Sequence, residues 1–384
     1  MRTARRYLAL EIYRSGAVVL LALLGLFSLF GLIEELDNLG SRLSLINLFT
    51  LELLAVPTRL YDLLPIGLLI GAILALAGLA QRNELVILRV SGVSGLRLLA
   101  TLWLITLPLV GGAFALSEVL APAAELKGSE ASMILLGRTG GARMDSGYWF
   151  RETAPDDGLR IINISHLLTG GNVSDITLYE FDADNTLLAL SHAAGGRFHA
   201  GELTLREVTR TEIDDHALDA LADATPPEAP LTRQSTQASR RLETSLTPER
   251  LIARVLTPER MSIATLLDYI HYLDNNHLQT DRQRVALWRK FAYPFTLLVM
   301  ITIAAPISFM QTRRGGVGGK VFIGILLGVA FFMVNQLALN VGMLGKWAPW
   351  VTALIPNIAA GLLAFATLLI MENRHNVKRL RQRA

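Results

Sequence analysis

Gln81-Arg82-Asn83-Glu84-Leu85-Val86-Ile87-Leu88-Arg89-Val90-Ser91-Gly92 is short, charged and only moderately apolar, yet its surroundings decide the fold. The apolar run Leu63–Ala80 leads into it, and Leu98–Ser117 leads out. Each approaches the roughly 20 residues that a helix needs to cross a bilayer. The segment is therefore a loop between two membrane spans. Leu85, Leu88 and Gly92 fall on one side at helical spacing, leaving Arg82, Glu84 and Arg89 to meet water or a partner. A carboxylate flanked by arginines and fixed between two spans suits a membrane protein that receives a push from a soluble motor. An ordinary interfacial turn is the alternative.

Hydrophobic residues make up 52% of the chain and mean hydropathy is +0.41, both high for a soluble protein. Uncharged runs recur at Ser15–Ile33, Leu63–Ala80, Leu98–Ser117, Phe291–Thr312, Val321–Gly345 and Trp347–Met371, which predicts six transmembrane helices. The first run is too long for a signal peptide, and Glu34-Glu35-Leu36-Asp37 is a poor cleavage site. Net charge is only +3, so the placement of the cations says more. Arg2, Arg5, Arg6, Arg14, Arg82, Arg89, Arg97, Arg313, Arg314 and Lys320 fall on one side, with the basic tail Arg374–Arg383; the opposite short loops hold Arg42, Arg59 and Lys346. Basic loops stay in the cytoplasm, so both termini and the Glu84 segment are expected there. Gly67, Gly71 and Ala75, then Gly324 and Gly328, form small faces on which helices can approach closely. Asn335 and Gln336, deep in span five, are expected to bond a neighbouring helix or line a wet cavity.

The long segment between spans three and four changes character at Gly137–Arg143. Short alternating runs follow at Tyr148–Arg151, Arg160–Leu167, Asp175–Phe181, Thr186–His192 and Glu202–Arg210. Turn residues separate them at Gly170-Gly171, Asp182–Asn185 and Gly195-Gly196. Such spacing predicts an all-β, jelly-roll-like or sandwich domain inserted into the helical protein. Asp214–Pro230 reads as a loop insertion, and helix returns after Thr257, with Ser262–Leu273 amphipathic. The expected division is 1–120 for spans one to three with a coupling helix near 81–92, 121–285 for the outer β-domain and its flanking helix, and 286–384 for spans four to six and the basic tail.

The motifs of chemistry are weak. Gly315–Val321 ends like a phosphate loop, but Arg314 holds the first glycine position and Val321 replaces the magnesium-binding hydroxyl. Gly92-Val93-Ser94-Gly95 resembles the nucleophile string of intramembrane serine proteases, yet none of the seven histidines lies in a span to act as base. His192 and His199 could meet on neighbouring strands but lack a third ligand for a metal. The chain has no cysteine, hence no disulfide and no thiolate site. No cofactor, metal, catalytic group or nucleic-acid partner is expected.

Six spans, a large outer β-domain after the third, and Gln81–Val86 after the second resemble the lipopolysaccharide-export permease family, its LptG-type branch more closely. Further matches are Val56-Pro57, Leu64-Pro65, Glu118-Val119-Leu120-Ala121-Pro122 closing span three, and Trp288-Arg289-Lys290-Phe291 with Pro294 opening span four. The resemblance implies a permease in the bacterial inner membrane that extracts lipopolysaccharide without being an enzyme itself. Its implied partners are a second, LptF-type permease, a cytoplasmic LptB-type ATPase dimer, and periplasmic jelly-roll proteins of LptC and LptA type that form a bridge. It also implies a coupling helix over Arg82–Ser91, with Glu84 entering a groove of the ATPase and Arg82, Asn83, Leu85, Leu88 and Arg89 around it.

Relatives carry lysine near the outer end of span one, where Glu34, Glu35 and Asp37 stand here with Arg42 beyond. Arginines just past span three correspond to Ser129 and Ser132, leaving Lys127. Arg282, Arg284, Arg289 and Lys290, at the outer mouth of span four, break the positive-inside pattern. With Lys127 they are the expected contacts for substrate phosphates; headgroup anchoring is the alternative. Two other functions stay open, an intramembrane serine hydrolase at Ser94 and a non-transporting scaffold that displays the β-domain.

Overall fold

The computed structural model of the chain describes residues 2–36, 44–84, 87, 90, 93–136, 147–153, 158–167, 172–184, 186–199, 202–213, 232–244, 246, 257–309 and 317–381. They fall into two compact units, a helical one (1–128, 258–267 and 281–384) and a β unit (129–257 and 268–280).

The helices are α1 (Arg2–Glu34), α2 (Leu45–Gln81), α3 (Gly95–Ala115), α4 (Ala121–Leu136), α5 (Ile263–Asn275), α6 (Asp281–Phe309), α7 (Val317–Leu344) and α8 (Pro349–Arg381). Among the described residues, six helical segments are long and apolar enough to span a membrane: Thr3–Glu34, Leu45–Gln81, Gly95–Ser129, Asp281–Ile307, Gly318–Leu344 and Pro349–Met371. α2 begins well before Leu63, where the uncharged run starts. Glu52 and Arg59 interrupt that run in sequence, but they pair with each other two helical turns apart, so the charges do not break the helix. Ser44 caps its start by accepting from the Asn47 amide at 3.3 Å.

α2 is the centre of this unit. The most apolar stretch of α2 is 72% buried against 11% for that of α1 and of α7. Leu69, Ala72, Ile73, Leu76 and Leu79 of α2 pack with Leu102 of α3 and Leu297, Met300 and Ile301 of α6. The small faces work as expected. A Cβ on Gly71 would collide with the Gly16 backbone of α1, and one on Gly67 with Leu20. Gly324 and Gly328 of α7 likewise sit against Ile73 and Leu69 of α2. In a bilayer such contact, rather than the hydrophobic effect, holds helices together. Polar links add to it: Trp103 Nε1 donates to Thr302 Oγ1 at 2.9 Å, and Thr296 Oγ1 to Asn357 Oδ1 at 2.9 Å.

The β unit contains one six-stranded antiparallel sheet in sequential order: β1 (Tyr148–Thr153), β2 (Leu159–Leu167), β3 (Asn172–Phe181), β4 (Leu187–His199), β5 (Glu202–Ile213) and β6 (Thr232–Glu243). Phe150, Ile162, Ile164, Ile176, Leu178, Ala193, Leu203, Leu205 and Val208 form its buried face. Alternation breaks at Glu207, which has a positive φ of 55°, while the register with β4 is kept on either side, Arg206 with Gly195 and Val208 with Ala193. Of the turn expected at Asp182–Asn185, Asn185 lies outside the described residues; Asp182 Oδ1 accepts from the amides of Asp184 (2.9 Å) and Thr186 (2.8 Å), as in a turn.

Three points of the sequence reading fail in this unit. Gly195-Gly196 is not a turn but lies inside β4, paired with Arg206 and Leu205 of β5. A Cβ on Gly196 would come 2.9 Å from Ile176 and 3.1 Å from Leu203, so the glycine serves close packing within the sheet. Strand β6 was not anticipated, because Thr232–Ser239 is polar and exposed throughout and only Leu242 is buried. His192 and His199 share β4 rather than facing each other from neighbouring strands. Gly170-Gly171 and the Asp214–Pro230 insertion lie outside the described residues.

Candidate coupling turn and membrane pocket

The turn after α2 is held by its own backbone and by α1. The Arg82 amide donates to Gly78 O at 3.1 Å and the Asn83 amide to Ala80 O at 3.2 Å, ending the helix. Asn83 then takes the left-handed conformation (φ 60°), which asparagine tolerates better than most residues. Glu84, Ile87 and Val90 are helical, with the Ile87 amide donating to Asn83 O at 3.1 Å. Leu85, Leu88 and Arg89 lie outside the described residues.

The charged groups of this turn face α1. Tyr7 donates its hydroxyl hydrogen to Glu84 Oε2 at 2.8 Å, and Arg82 Nη2 donates to Glu11 Oε1 at 2.7 Å. Arg82 Nε lies 3.5 Å from Glu84 Oε1. The Glu11 hydrogen bond, followed by the neighbouring Tyr7 and Glu84, raises the proton affinity of the Arg82 guanidinium further. Glu84 thus has a defined orientation while a third of its side chain stays exposed. Ser94 opens the next span, its hydroxyl accepting from the Arg97 amide at 3.3 Å, the position of a helix cap.

The second feature is a pocket of about 630 Å³ within the helical unit. Its apolar wall includes Phe27, Met300, Phe331 and Phe332, and its polar wall Arg59, Asp62, Glu259, Arg289 and Lys290. Asn335 and Gln336 line it too, the second of the two outcomes expected for polar groups at that depth. Tyr61 and Tyr293 stack at 4.1 Å between ring centres, and the Tyr293 hydroxyl donates to Tyr61 O at 2.6 Å, joining α2 to α6 at this level.

The five cations expected at the substrate's phosphates are not equivalent. Lys290 is nearly buried. It donates to Glu118 Oε1 at 3.0 Å and Ser117 Oγ at 2.9 Å. Glu118 also caps α5, its Oε2 accepting from the Ile263 amide at 2.7 Å. Ser117 and Glu118 lie in a π-helical turn, Leu116–Leu120, between α3 and α4; one such wide turn is a recurrent feature of functional sites. Arg282 stands 3.8 Å from Glu259. Arg289 lines the pocket, and Arg284 and Lys127 are exposed on α6 and α4. Sequence reading missed Tyr7, Glu11, Ser117 and Glu118. Nothing in a single chain marks a carboxylate whose partner lies 172 residues away.

A charged interspan turn, a mixed pocket among spans and a β unit between the third and fourth spans define a multi-pass membrane protein of permease type. The chain belongs to the lipopolysaccharide export system permease LptF/LptG family, whose sequence pattern matches residues 6–370. It is similar to the lipopolysaccharide export system permease protein LptG of Haemophilus influenzae, 27% identical over 286 residues, covering 74% of this chain and 75% of that protein. It is also similar to LptG of Escherichia coli K12, 26% identical over 319 residues, covering 83% and 84%. It is thus a multi-pass inner-membrane permease of the lipopolysaccharide export system.

Proposed function

We propose that this permease extracts lipopolysaccharide from the inner membrane, driven by a separate LptB-type ATPase dimer that docks at the Arg82–Glu84 turn. Both termini and that turn face the cytoplasm, and the β unit faces the periplasm, in keeping with the basic loops. The observation that carries the reading is Glu84, a carboxylate given a fixed orientation between two spans and left partly open. Leu85, Leu88 and Arg89 complete the docking helix in this reading. α1 and α7 have the least buried apolar faces among the spans, and a second, LptF-type permease would cover them. LptC- and LptA-type jelly-roll proteins would continue from the β unit as a bridge. ATP hydrolysis belongs to the partner, and this chain contributes no catalytic group.

Of the outer cations, Arg289 is the one best placed for a substrate phosphate, since it lines the partly apolar pocket while Lys290 beside it is engaged by Glu118. Arginine suits that task through short, charge-assisted bonds in a partly dry site. Arg282, Arg284 and Lys127 would meet the same headgroup further out. Lys290 supports the site by holding Glu118. Removing one partner of a partly buried interfacial charge pair costs about 2–5 kcal/mol. Glu84→Ala is therefore expected to strip the ATPase from the purified permease while membrane insertion stays normal. Full retention of the ATPase would refute the docking assignment.

A further inference from the structure

α1 touches both features described above. Tyr7 and Glu11 stand one helical turn apart, hence on one face, and between them they take the two charged groups of the interspan turn, Glu84 and Arg82. Leu8 and Ile12 beside them are 3% and 1% exposed, which fixes the rotation of α1 at this level. Towards the other end Phe27 lines the pocket, and Ser28 Oγ accepts from Arg59 Nη1 at 3.2 Å. The twenty positions between Tyr7 and Phe27 amount to about 30 Å of helix.

Two helices join the turn to the pocket, and they differ mechanically. α2 carries Pro57 and Pro65 at the pocket level and is gripped by α1, α6 and α7. Proline breaks the backbone ladder and allows a kink there. α1 has no proline, so it is an unbroken helix; it packs along α2 and is tied to α3 where the Tyr13 hydroxyl donates to Ile105 O at 2.5 Å. Its contact with α2 runs over Gly16, Gly67 and Gly71, where the Gly16 backbone meets Gly71 and Leu20 sits on Gly67.

We propose that Tyr7 and Glu11 are positioning residues that lock the Arg82–Glu84 turn onto α1, so that α1 moves with the turn as a rod and carries its displacement to the Phe27–Ser28 wall of the pocket. The proposal rests on the docking of an ATPase at Glu84. Motor and substrate site are then linked by a helix that need not bend, and the more deeply packed α2 serves as the fixed reference.

The chain has no cysteine, so Phe27→Cys gives a single labelling site for an environment-sensitive fluorophore. In the assembled transporter, reconstituted with both permeases and the ATPase, ATP is expected to change the signal of that label. Tyr7→Phe with Glu11→Gln is expected to abolish the change and to lower lipopolysaccharide released per ATP, with the ATPase still bound and hydrolysing at its usual rate. The conservative Glu11→Asp change, which keeps a carboxylate for Arg82 and leaves the docking turn untouched, is expected to retain part of the response, which a merely structural role would not predict. An unaltered response in the Tyr7→Phe/Glu11→Gln protein overturns the proposal, as does no response to ATP in the otherwise unaltered chain. Loss of the ATPase from the double variant also overturns it, since both residues would then belong to docking and not to transmission. Glu84→Ala separates the two ideas: if the ATPase stays bound there, the docking assignment fails, whatever the label reports.

Discussion

The helical unit and the β unit handle their partly buried charges in opposite ways. In the helical unit the charges close into small local groups: Lys290 with Glu118 and Ser117, Arg59 with Glu52, Arg82 with Glu11 and Glu84. In the β unit they form one connected chain across the sheet. Glu152 pairs with Arg160 at 3.1 Å, Arg160 stands 3.8 Å from Glu180, and Glu180 also takes Arg240 at 2.8 Å and Arg210. Thr244 Oγ1 adds a 2.6 Å bond to Glu152 Oε2. Separate groups can open one at a time as helices shift. A connected chain resists the displacement of any single strand, because each arginine would lose partners on its neighbours. The sheet is therefore expected to keep its register more firmly than the helices keep theirs.

The sheet's charge chain offers the largest expected effect. Glu180 holds three arginines together, and Glu180→Gln would leave them mutually repelling in a partly buried site. Breaking a buried pair from one side costs about 3–5 kcal/mol. Hydrogen exchange in β2, β3, β5 and β6 of the full chain, the strands that carry Glu180 and its three arginines, is expected to accelerate accordingly, while the helical unit keeps its protection. The same carboxylate predicts a pH effect. Burial pushes its pKa up, but the Arg240 hydrogen bond and the charges of Arg240, Arg210 and Arg160 outweigh that and leave it below the ordinary value. A depressed folded pKa means the stabilisation is complete above the unfolded-state value and fades as pH falls through the folded one. The native β unit should thus lose protection on acidification more steeply than the Glu180→Gln protein.

In the helical unit, Lys290→Met is expected to cost less, about 2 kcal/mol, because Glu118 keeps its bonds to Ser117 and to the Ile263 amide. Adding Glu118→Gln should recover part of the loss in thermal unfolding of the detergent-solubilised protein. Equal losses in single and double variants would mean that the pair is not a local group. The smallest effect is expected from Asn83→Gly. Glycine accepts the φ of 60° without strain, so stability should change by less than about 1 kcal/mol and ATPase binding should persist. A large loss would show that the Asn83 side chain, and not its backbone, is what the turn requires.

Much of the helical unit was legible in the chain because a bilayer imposes length, apolar runs and charge placement together. Small residues at Gly67, Gly71, Gly324 and Gly328 even marked which helix faces meet. The start of α2 was hidden by Glu52 and Arg59, whose mutual pairing appears only once the helix is built. β6 was hidden for a related reason: an exposed polar strand at the sheet edge has no apolar alternation to betray it. Glu84 stood out as a charged residue between two spans. Its partner Tyr7 did not, since a tyrosine among the first residues of an apolar helix reads as an interface anchor. The five cations looked alike in sequence, and only packing shows that Lys290 is held by Glu118 and Ser117 while its neighbour Arg289 shares the pocket wall.

The central claim is that a push delivered at Glu84 moves lipopolysaccharide out of the membrane. It is tested most directly by ATP-dependent release of lipopolysaccharide from proteoliposomes that hold this chain, the second permease and the ATPase. Glu84→Ala is expected to abolish ATP-dependent release while the permease remains inserted and retains its β unit. Release continuing at the unaltered rate in that variant would contradict the account.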